Sequence, residues 1–350
     1  MTLRSHLRNV VGLTIALTAG CEHSEPFRSE DYGADGPLTP GPIAQLTFSP
    51  GQDLTPAWLP DGAAFVFTAE RLDRADRDRC FAFMPAAGGS ISRYACRTTA
   101  ADDTINVFEE ATMLGDSIAY VRAGTERFLP GLGPDRQDLV VAPTADPNAA
   151  RVVQRIPFTT AWGATYDMIS HVAWLGPGRL AFIGERVTYP RACGGCVADT
   201  VRVGLGVVIA DITGPAPVLT RMPDGDSASS LAVNAGGIIV IYFTRNGDTR
   251  VFRRAGSQTD TLFDFGAAGV VRDIAVNSGT CAAVVGGAVG SATSSDRGGA
   301  LFLVEGGVAA QVGDPTLLYR RPAFSPDGNR LIVSAWNSAP SADLWLFQLR

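Results

Sequence analysis

Six times along this chain an apolar strand runs into a tight turn and is answered by a second apolar strand. Two copies nearly superimpose: Pro56-Ala-Trp-Leu-Pro-Asp-Gly-Ala-Ala-Phe-Val-Phe-Thr68 and Pro322-Ala-Phe-Ser-Pro-Asp-Gly-Asn-Arg-Leu-Ile-Val-Ser334. Proline presets φ at the second turn position and glycine accepts the positive φ that follows, so the turn itself specifies a hairpin. Val172–Ile183 keeps this logic with a different turn, and Ala111–Val121 keeps it more faintly. Leu231–Val240 and Ile274–Val284 turn on Asn and Gly. The last core residue before each turn falls at Trp58, Met113, Trp174, Val233, Val276 and Phe324. The unit therefore returns about every 40 to 60 residues, which suits a four-stranded propeller blade with longer loops in places.

Five of the units supply two further apolar strands, whereas the last supplies one, Asp343–Gln348. One strand is spare: Ile43–Phe48 precedes the first unit with nothing else to pair with. A propeller avoids exposed edges by letting a strand from one terminus complete the blade at the other. The expectation is an all-β, six-bladed β-propeller of four-stranded antiparallel blades over residues 43–350. Its ring would be closed by Ile43–Phe48 as the outer strand of the last blade.

The run Leu46-Thr47, then Pro56-x-Trp58-x-Pro60-Asp61-Gly62, then Phe65 and Phe67, resembles the blade repeat of TolB-type six-bladed propellers. The resemblance is strongest at Leu46–Thr68 and Pro322–Ser334. It implies a periplasmic scaffold that engages other proteins through the mouth of the central channel.

Composition fits that architecture. Hydrophobic residues make up 46% and charged residues 18%, with 39 Gly and 22 Pro interrupting the apolar runs, so short strands joined by turns are expected. No helical period persists beyond the N-terminal segment. The formal net charge is −6, and no Lys/Arg run supplies a basic footprint, so no nucleic-acid partner is expected. Glu70–Arg79 alternates in sign, as a solvated loop does.

Arg4 and Arg8 precede a short apolar stretch that ends Leu17-Thr18-Ala19-Gly20-Cys21. The stretch falls short of the ~20 apolar residues that span a bilayer, and its layout is that of an export signal. It resembles a bacterial lipoprotein signal, with residues 1–20 removed and Cys21 lipidated. Leu17 stands one place earlier than in that family's box, so plain cleavage near Ala19 is the alternative. Residues 21–42 are polar and rich in Pro and Gly, as a flexible tether is. The expected partners are a membrane, through the N-terminal lipid, and a protein or peptide at the channel face. A monomer is expected, exported and held at the outer membrane facing the periplasm. Glu22 after the cysteine points to that membrane by the same resemblance.

Cys80 and Cys96 are equidistant from Gly88, at the centre of the hairpin between them, so a cross-strand disulfide is sterically open. Cys193-Gly-Gly-Cys196 admits a loop disulfide, half of a zinc site or a redox pair. No second Cys pair, nearby His or thioredoxin-like pattern completes the last two, which favours the disulfide. Cys281 reads as a small buried residue.

No Gly-x-Ser-x-Gly elbow, His-Glu-x-x-His pair, phosphate-binding loop or calcium loop is present. His6 lies in the signal and His23 in the tether, leaving His171 alone in the body, too little for a multi-His metal site. Residues just before each inner strand would line a propeller's channel: Asp53, Glu109, Glu110, Asp167, His171, Asp226, Ser229, Arg272, Asp273, Arg320 and Arg321. Their mixed charge suits a solvated mouth that binds a partner, with no catalytic residue, metal or cofactor. The alternative is a metal-dependent, lactonase-like hydrolase in which Glu109, Asp167, Asp226 or Asp273 holds a cation that polarises a carbonyl. The neighbouring arginines weigh against it. Trp58, Trp174, Trp336 and Trp345 read as packing residues.

Overall fold

The computed structural model describes residues 43–349 apart from 49, 73–77, 98–106, 126–133, 162, 189–200, 235–237, 287–297 and 337–340. The signal (1–20), Cys21, the tether (21–42) and the pair Cys193 and Cys196 lie outside the described residues. Among the described residues all regular structure is strand, apart from one 3-10 turn at Gly266–Ala268.

The turns are where the sequence puts them. The six expected residues pair across their hairpins: Trp58 with Phe65, Met113 with Ile118, Trp174 with Leu180, Val233 with Ile241, Val276 with Cys281 and Phe324 with Leu331. In the two Pro-Asp-Gly turns, Gly62 and Gly328 sit at φ +69° and +74°, where a side chain would be strained. Asp61 and Asp327 brace these turns by accepting the N–H groups of Ala63 and Asn329 at 2.9 and 3.1 Å.

Four sheets are separate four-stranded blades. The first is Met168–Gly176, Arg179–Thr188, Val201–Asp211 and Val218–Arg221, and the second is Ala228–Asn234, Val240–Arg245, Arg250–Ala255 and Gln258–Asp264. The third is Val271–Asn277, Thr280–Val285, Ala300–Glu305 and Val308–Val312. The fourth joins Leu318–Phe324, Arg330–Trp336 and Asp343–Gln348 to Ile43–Gln45. The other eight strands, from Asp53–Trp58 to Arg151–Arg155, form one continuous sheet where two blades were expected. A single parallel pair, Arg79 with Val107, makes the join. The short outer strand Arg93–Ala95 pairs only with Phe81–Phe83, which leaves the start of Arg79–Pro85 uncovered on that side. A two-stranded hairpin, Phe158–Thr159 with Thr165–Tyr166, completes the set.

The antiparallel sheets stand in a propeller arrangement. Their inner strands pack in cyclic order: Asp53–Trp58, Val107–Leu114, Met168–Gly176, Ala228–Asn234, Val271–Asn277, Leu318–Phe324, and back to the first. Second strands are covered on both faces and are apolar nearly throughout; Phe65, Val66 and Phe67 are wholly buried. Outer strands such as Gln258–Asp264 stay largely exposed and polar. The inner strands that carry Pro56 and Pro322 are sheet edges facing the channel, so the two prolines forfeit no ladder hydrogen bond there. Two buried tryptophans also stitch neighbouring inner strands. Trp58 Nε1–H donates to the Ala323 carbonyl at 3.0 Å, and Trp174 Nε1–H to the Thr112 carbonyl at 3.2 Å.

The spare strand does what the sequence suggests, over a shorter span. Ile43, Ala44 and Gln45 pair antiparallel with Phe347, Leu346 and Trp345 on the outer edge of the last sheet. Beyond it, Leu46 N–H still donates to Leu344 O at 2.7 Å, and Asp53 N–H to Ala342 O at 2.8 Å. Cys80 and Cys96 form the expected disulfide with Cα atoms 4.5 Å apart, continuing the register that pairs Phe81 with Ala95. Cys281 is a buried free thiol, pushed up to about 12 by burial.

The seam between the fourth sheet and the eight-stranded sheet, the last and first sheets in chain order, carries acids. Burial pushes the Asp53 carboxyl up to about 7; a Thr47 hydrogen bond opposes the shift, and the charges of Asp343 and Glu70 add to it. Burial likewise pushes Asp343 up to about 6, against hydrogen bonds from Thr47 and Gln45. A carboxyl raised in the folded state holds its proton more tightly there than in the unfolded chain. Its stabilising contribution is therefore full below about pH 4 and is lost as pH rises through the folded-state value. Asp53→Asn is expected to raise Tm at pH 8.5 by about 2–4 °C, a difference that closes by pH 4.5. Thermal melts of both proteins across that range check it, and a constant difference would count against the seam's electrostatics as described.

Candidate functional site

The inner strands share an irregularity. Register slips after Leu54, Glu109, Ser170, Ala228, Val271 and Arg320, and Met168–Gly176 slips a second time after Trp174. At four slips a residue other than glycine takes the left-handed region: Thr55 (φ +47°), Glu110 (+59°), His171 (+50°) and Arg321 (+50°). A regular strand sends successive side chains to opposite faces, and a bulge breaks that alternation. Neighbours in sequence thereby reach the same region: Glu109 with Glu110, Ser170 with His171, Arg320 with Arg321.

Four of these side chains close a ring of polar contacts. The Arg321 guanidinium donates to Glu110 Oε2 at 3.1 Å. The same oxygen accepts the His171 backbone N–H at 2.9 Å. His171 Nε2–H donates to Asp273 Oδ1 at 3.1 Å, and Asp273 Oδ2 accepts the Arg321 backbone N–H at 3.2 Å. The strands of His171 and Asp273 are not neighbours in the cyclic order, nor are those of Arg321 and Glu110. These contacts therefore cross the channel. The Nε atoms of Arg320 and Arg321 each stand 3.7 Å from Asp273.

Charge balance inside the ring is close. Burial alone would raise the Asp273 carboxyl, but Arg321, the His171 hydrogen bond and Arg320 outweigh it and hold it well below the carboxylate range. Burial alone would lower the Arg321 guanidinium, and Glu110 and Asp273 outweigh that too. His171 extends the chain of contacts. Ser170 Oγ–H donates to Glu185 Oε1 at 2.7 Å, and its oxygen lies 3.0 Å from His171 Nδ1. The order Asp273–His171–Ser170 imitates a hydrolytic triad, but the serine proton is directed at Glu185.

The ring divides the channel. On one side lies a mouth cavity of about 440 Å3 that includes Gln52, Arg79, Glu109, Ser170, Arg320 and Trp336 in its wall. On the other lies a cavity of about 110 Å3 lined by His171, Leu231 and Asp273 among others. Thr55, Glu110 and Arg321 border both.

No protein-family model and no curated protein sequence matches this chain. Among solved structures it is similar to a gluconolactonase from Xanthomonas campestris, with TM-score 0.54, 12% identity, and 89% of this chain and 90% of that one covered. It is similar to a TolB-like protein from Agrobacterium tumefaciens, with TM-score 0.51, 16% identity, and 88% and 97% covered. It is also similar to Trypanosoma rangeli sialidase, with TM-score 0.52, 10% identity, and 85% of this chain and 55% of that one covered. The likeness is in fold alone.

The residues expected at the mouth divide into three groups. Glu109, Arg320 and Arg321 line the mouth cavity, while His171 and Asp273 stand at its floor and face the smaller cavity. Arg272 turns its Nε–H to the Gly286 carbonyl at 3.1 Å, and Ser229 sits at the slip of its own strand. Asp53, Asp167 and Asp226 lie elsewhere. Asp53 is buried against the last sheet and lines a separate cavity, Asp167 pairs with Arg186 at 3.5 Å, and exposed Asp226 pairs with Arg221. Among the described residues no three His, Cys, Asp or Glu side chains are placed to share a cation. Trp336, expected to pack, borders the mouth, as does Arg79, expected in a solvated loop and found at the start of a strand; Gln52, Ser170 and Glu185 were not singled out by sequence.

Arg321 is the residue the ring depends on. Arg321→Met leaves Glu110 and Asp273 without their shared cation and is expected to cost about 3–5 kcal/mol, read as a lower urea midpoint. Arg321→Lys keeps the charge but not the forked reach and should recover part of it. A loss below about 0.5 kcal/mol, that of an ordinary surface change, would show the ring to be unimportant for stability.

Proposed function

We propose that this chain is a binding module of the cell envelope, a six-bladed propeller that takes a partner peptide or protein loop at its channel mouth. The eight-stranded sheet counts as two blades in this reading. Its halves meet at one residue pair, and its two inner strands take separate places in the cyclic order. Export and lipid attachment at Cys21 complete the proposal, with the polar tether placing the propeller at a distance from the membrane surface.

One observation supports binding above the rest. The mouth cavity ends on a floor whose charges are already matched to one another. Such a floor gives a ligand a fixed polar surface while holding back no group for chemistry. The lactonase-like alternative draws little support from the same residues. Glu110 and Asp273 face Arg321, and a divalent ion placed between them would meet that guanidinium at close range. Arg79, Glu109 and Trp336 around the opening suit a peptide with both charged and apolar groups.

A photoreactive amino acid placed at Glu109 is expected to crosslink a discrete partner in intact cells, whereas one at Val308 on an exposed outer strand is not. Equal adducts from both positions, or none from the mouth, would sink the reading. Cys21→Ser is expected to move the protein from the membrane to the soluble fraction of the envelope. Unchanged fractionation would remove the lipid from the proposal.

A further inference from the structure

A second cavity, of about 420 Å3, opens at the seam where the N-terminal segment closes the last sheet onto the first. Three large apolar side chains at its rim are left in solvent: Phe48 is 68% exposed, Leu72 44% and Tyr94 42%. Behind them lie Leu46 and Met84, the open end of the apolar layer between the two sheets. Single exposed apolar residues are ordinary on a protein surface, but three around one concavity mark a place where something docks. The inner wall has a different character. It carries the buried acids Asp53 and Glu70, with Asp343 acting on Asp53 from the neighbouring strand. Glu70 accepts the Gln52 N–H at 3.2 Å. Arg71, the cation in the lining, lies over the Tyr94 ring at 4.0 Å from its centroid.

We propose that this cavity docks a partner peptide presenting a lysine or arginine beside an aromatic or aliphatic side chain. The apolar side chain packs against Phe48, Leu72 and Tyr94, and the cationic head reaches Asp53. Charge complementarity selects this occupant. A desolvated carboxyl with two acids beside it is costly to ionise alone, and a cation brought by the ligand offsets that cost. An anionic or uncharged partner would leave the cost in place. Burial pushes Asp53 up to about 7, so its carboxyl passes from neutral to anionic around neutral pH. The groups facing it are Glu70 on the next strand, Asp343 across the seam, Thr47 beside it and Arg71 in the cavity lining. Preference for a cation should rise as pH passes through neutral. The inference stands apart from binding at the channel mouth and does not require it.

The test uses the purified full chain and three probes: N-acetyl-Phe-Lys-amide, N-acetyl-Phe-Gln-amide and N-acetyl-Phe-Glu-amide, titrated by calorimetry. At pH 8.5 the lysine probe is expected to bind about tenfold more tightly than the glutamine probe, with the glutamate probe weakest. By pH 5.5 the lysine and glutamine probes should bind about equally. Asp53→Asn removes the preference at pH 8.5, and Phe48→Ser weakens all three probes alike. Should Asp53→Asn not fold, the pH profile of the unaltered chain decides the matter. No saturable binding, equal binding of the lysine and glutamine probes at pH 8.5, or a preference that persists in Asp53→Asn overturns the proposal.

Discussion

A largely shielded guanidinium sits between the two cavities of the channel. Arg321 is held between Glu110 and Asp273, which come from inner strands far apart in the chain, and its own backbone N–H is taken by Asp273. Each charge would be costly alone at that depth; together, with His171 closing the ring, they neutralise one another. The arrangement has a geometric demand. It exists only if the inner strands approach the channel at fixed offsets, so any slip of one sheet against its neighbours would leave a carboxylate or a guanidinium uncompensated. Apolar layers between sheets tolerate small sliding, whereas a closed ring of charged contacts does not. The ring therefore fixes register, and the apolar layers supply most of the stability.

The bulges make that ring possible. In an unbroken strand only one of Arg320 and Arg321 could face the channel, and the same holds for Ser170 and His171. The left-handed residues at the slips turn both inward, at the cost of backbone strain in residues that gain nothing from glycine's freedom. Strain of this kind persists only where surroundings enforce it, here through the contacts the strained residues themselves make. Thr55 illustrates the point on a smaller scale: its hydroxyl meets Thr68 at 2.9 Å, and Thr68 in turn donates to the Phe108 carbonyl of the adjoining inner strand at 2.9 Å.

What the sequence makes legible follows from what is periodic in it. Pro60-Asp61-Gly62 and Pro326-Asp327-Gly328 encode a turn by local chemistry, so hairpins and their pairs were readable, as was the spare N-terminal strand. The disulfide was readable because equal distance from a turn places two residues opposite each other. The fusion at Arg79 and Val107 was not, because it depends on how short Arg93–Ala95 is, and no repeat reports that. The site was readable in part for a related reason. Most residues expected just before the inner strands lie within them, and among these Glu109, Asp273, Arg320 and Arg321 reach the channel. The phase of each bulge decides which of them face it, and nothing in Thr55, Glu110, His171 or Arg321 as residue types announces a left-handed backbone. Asp53, Asp167 and Asp226 share the sequence position without sharing the outcome. Glu185 comes from a second strand and answers to no inner-strand rule.

The acids at the channel and at the seam are built on opposite principles, and the contrast locates the adaptable part. At the channel, Asp273 meets cations on several sides and is held ionised. At the seam, Asp53 and Asp343 meet hydroxyls, amides and one another, and are held toward the protonated form. The first arrangement is complete in itself. The second is stable when protonated or when a cation arrives from outside, and it sits where Asp53 N–H to Ala342 ties the first sheet to the last, beside the Leu46 N–H to Leu344 bond that extends the N-terminal strand. Proton binding and cation binding at that place are therefore linked to the same contacts that close the ring. A ligand that neutralises Asp53 would stabilise the closure itself, by an amount that grows as the proton leaves.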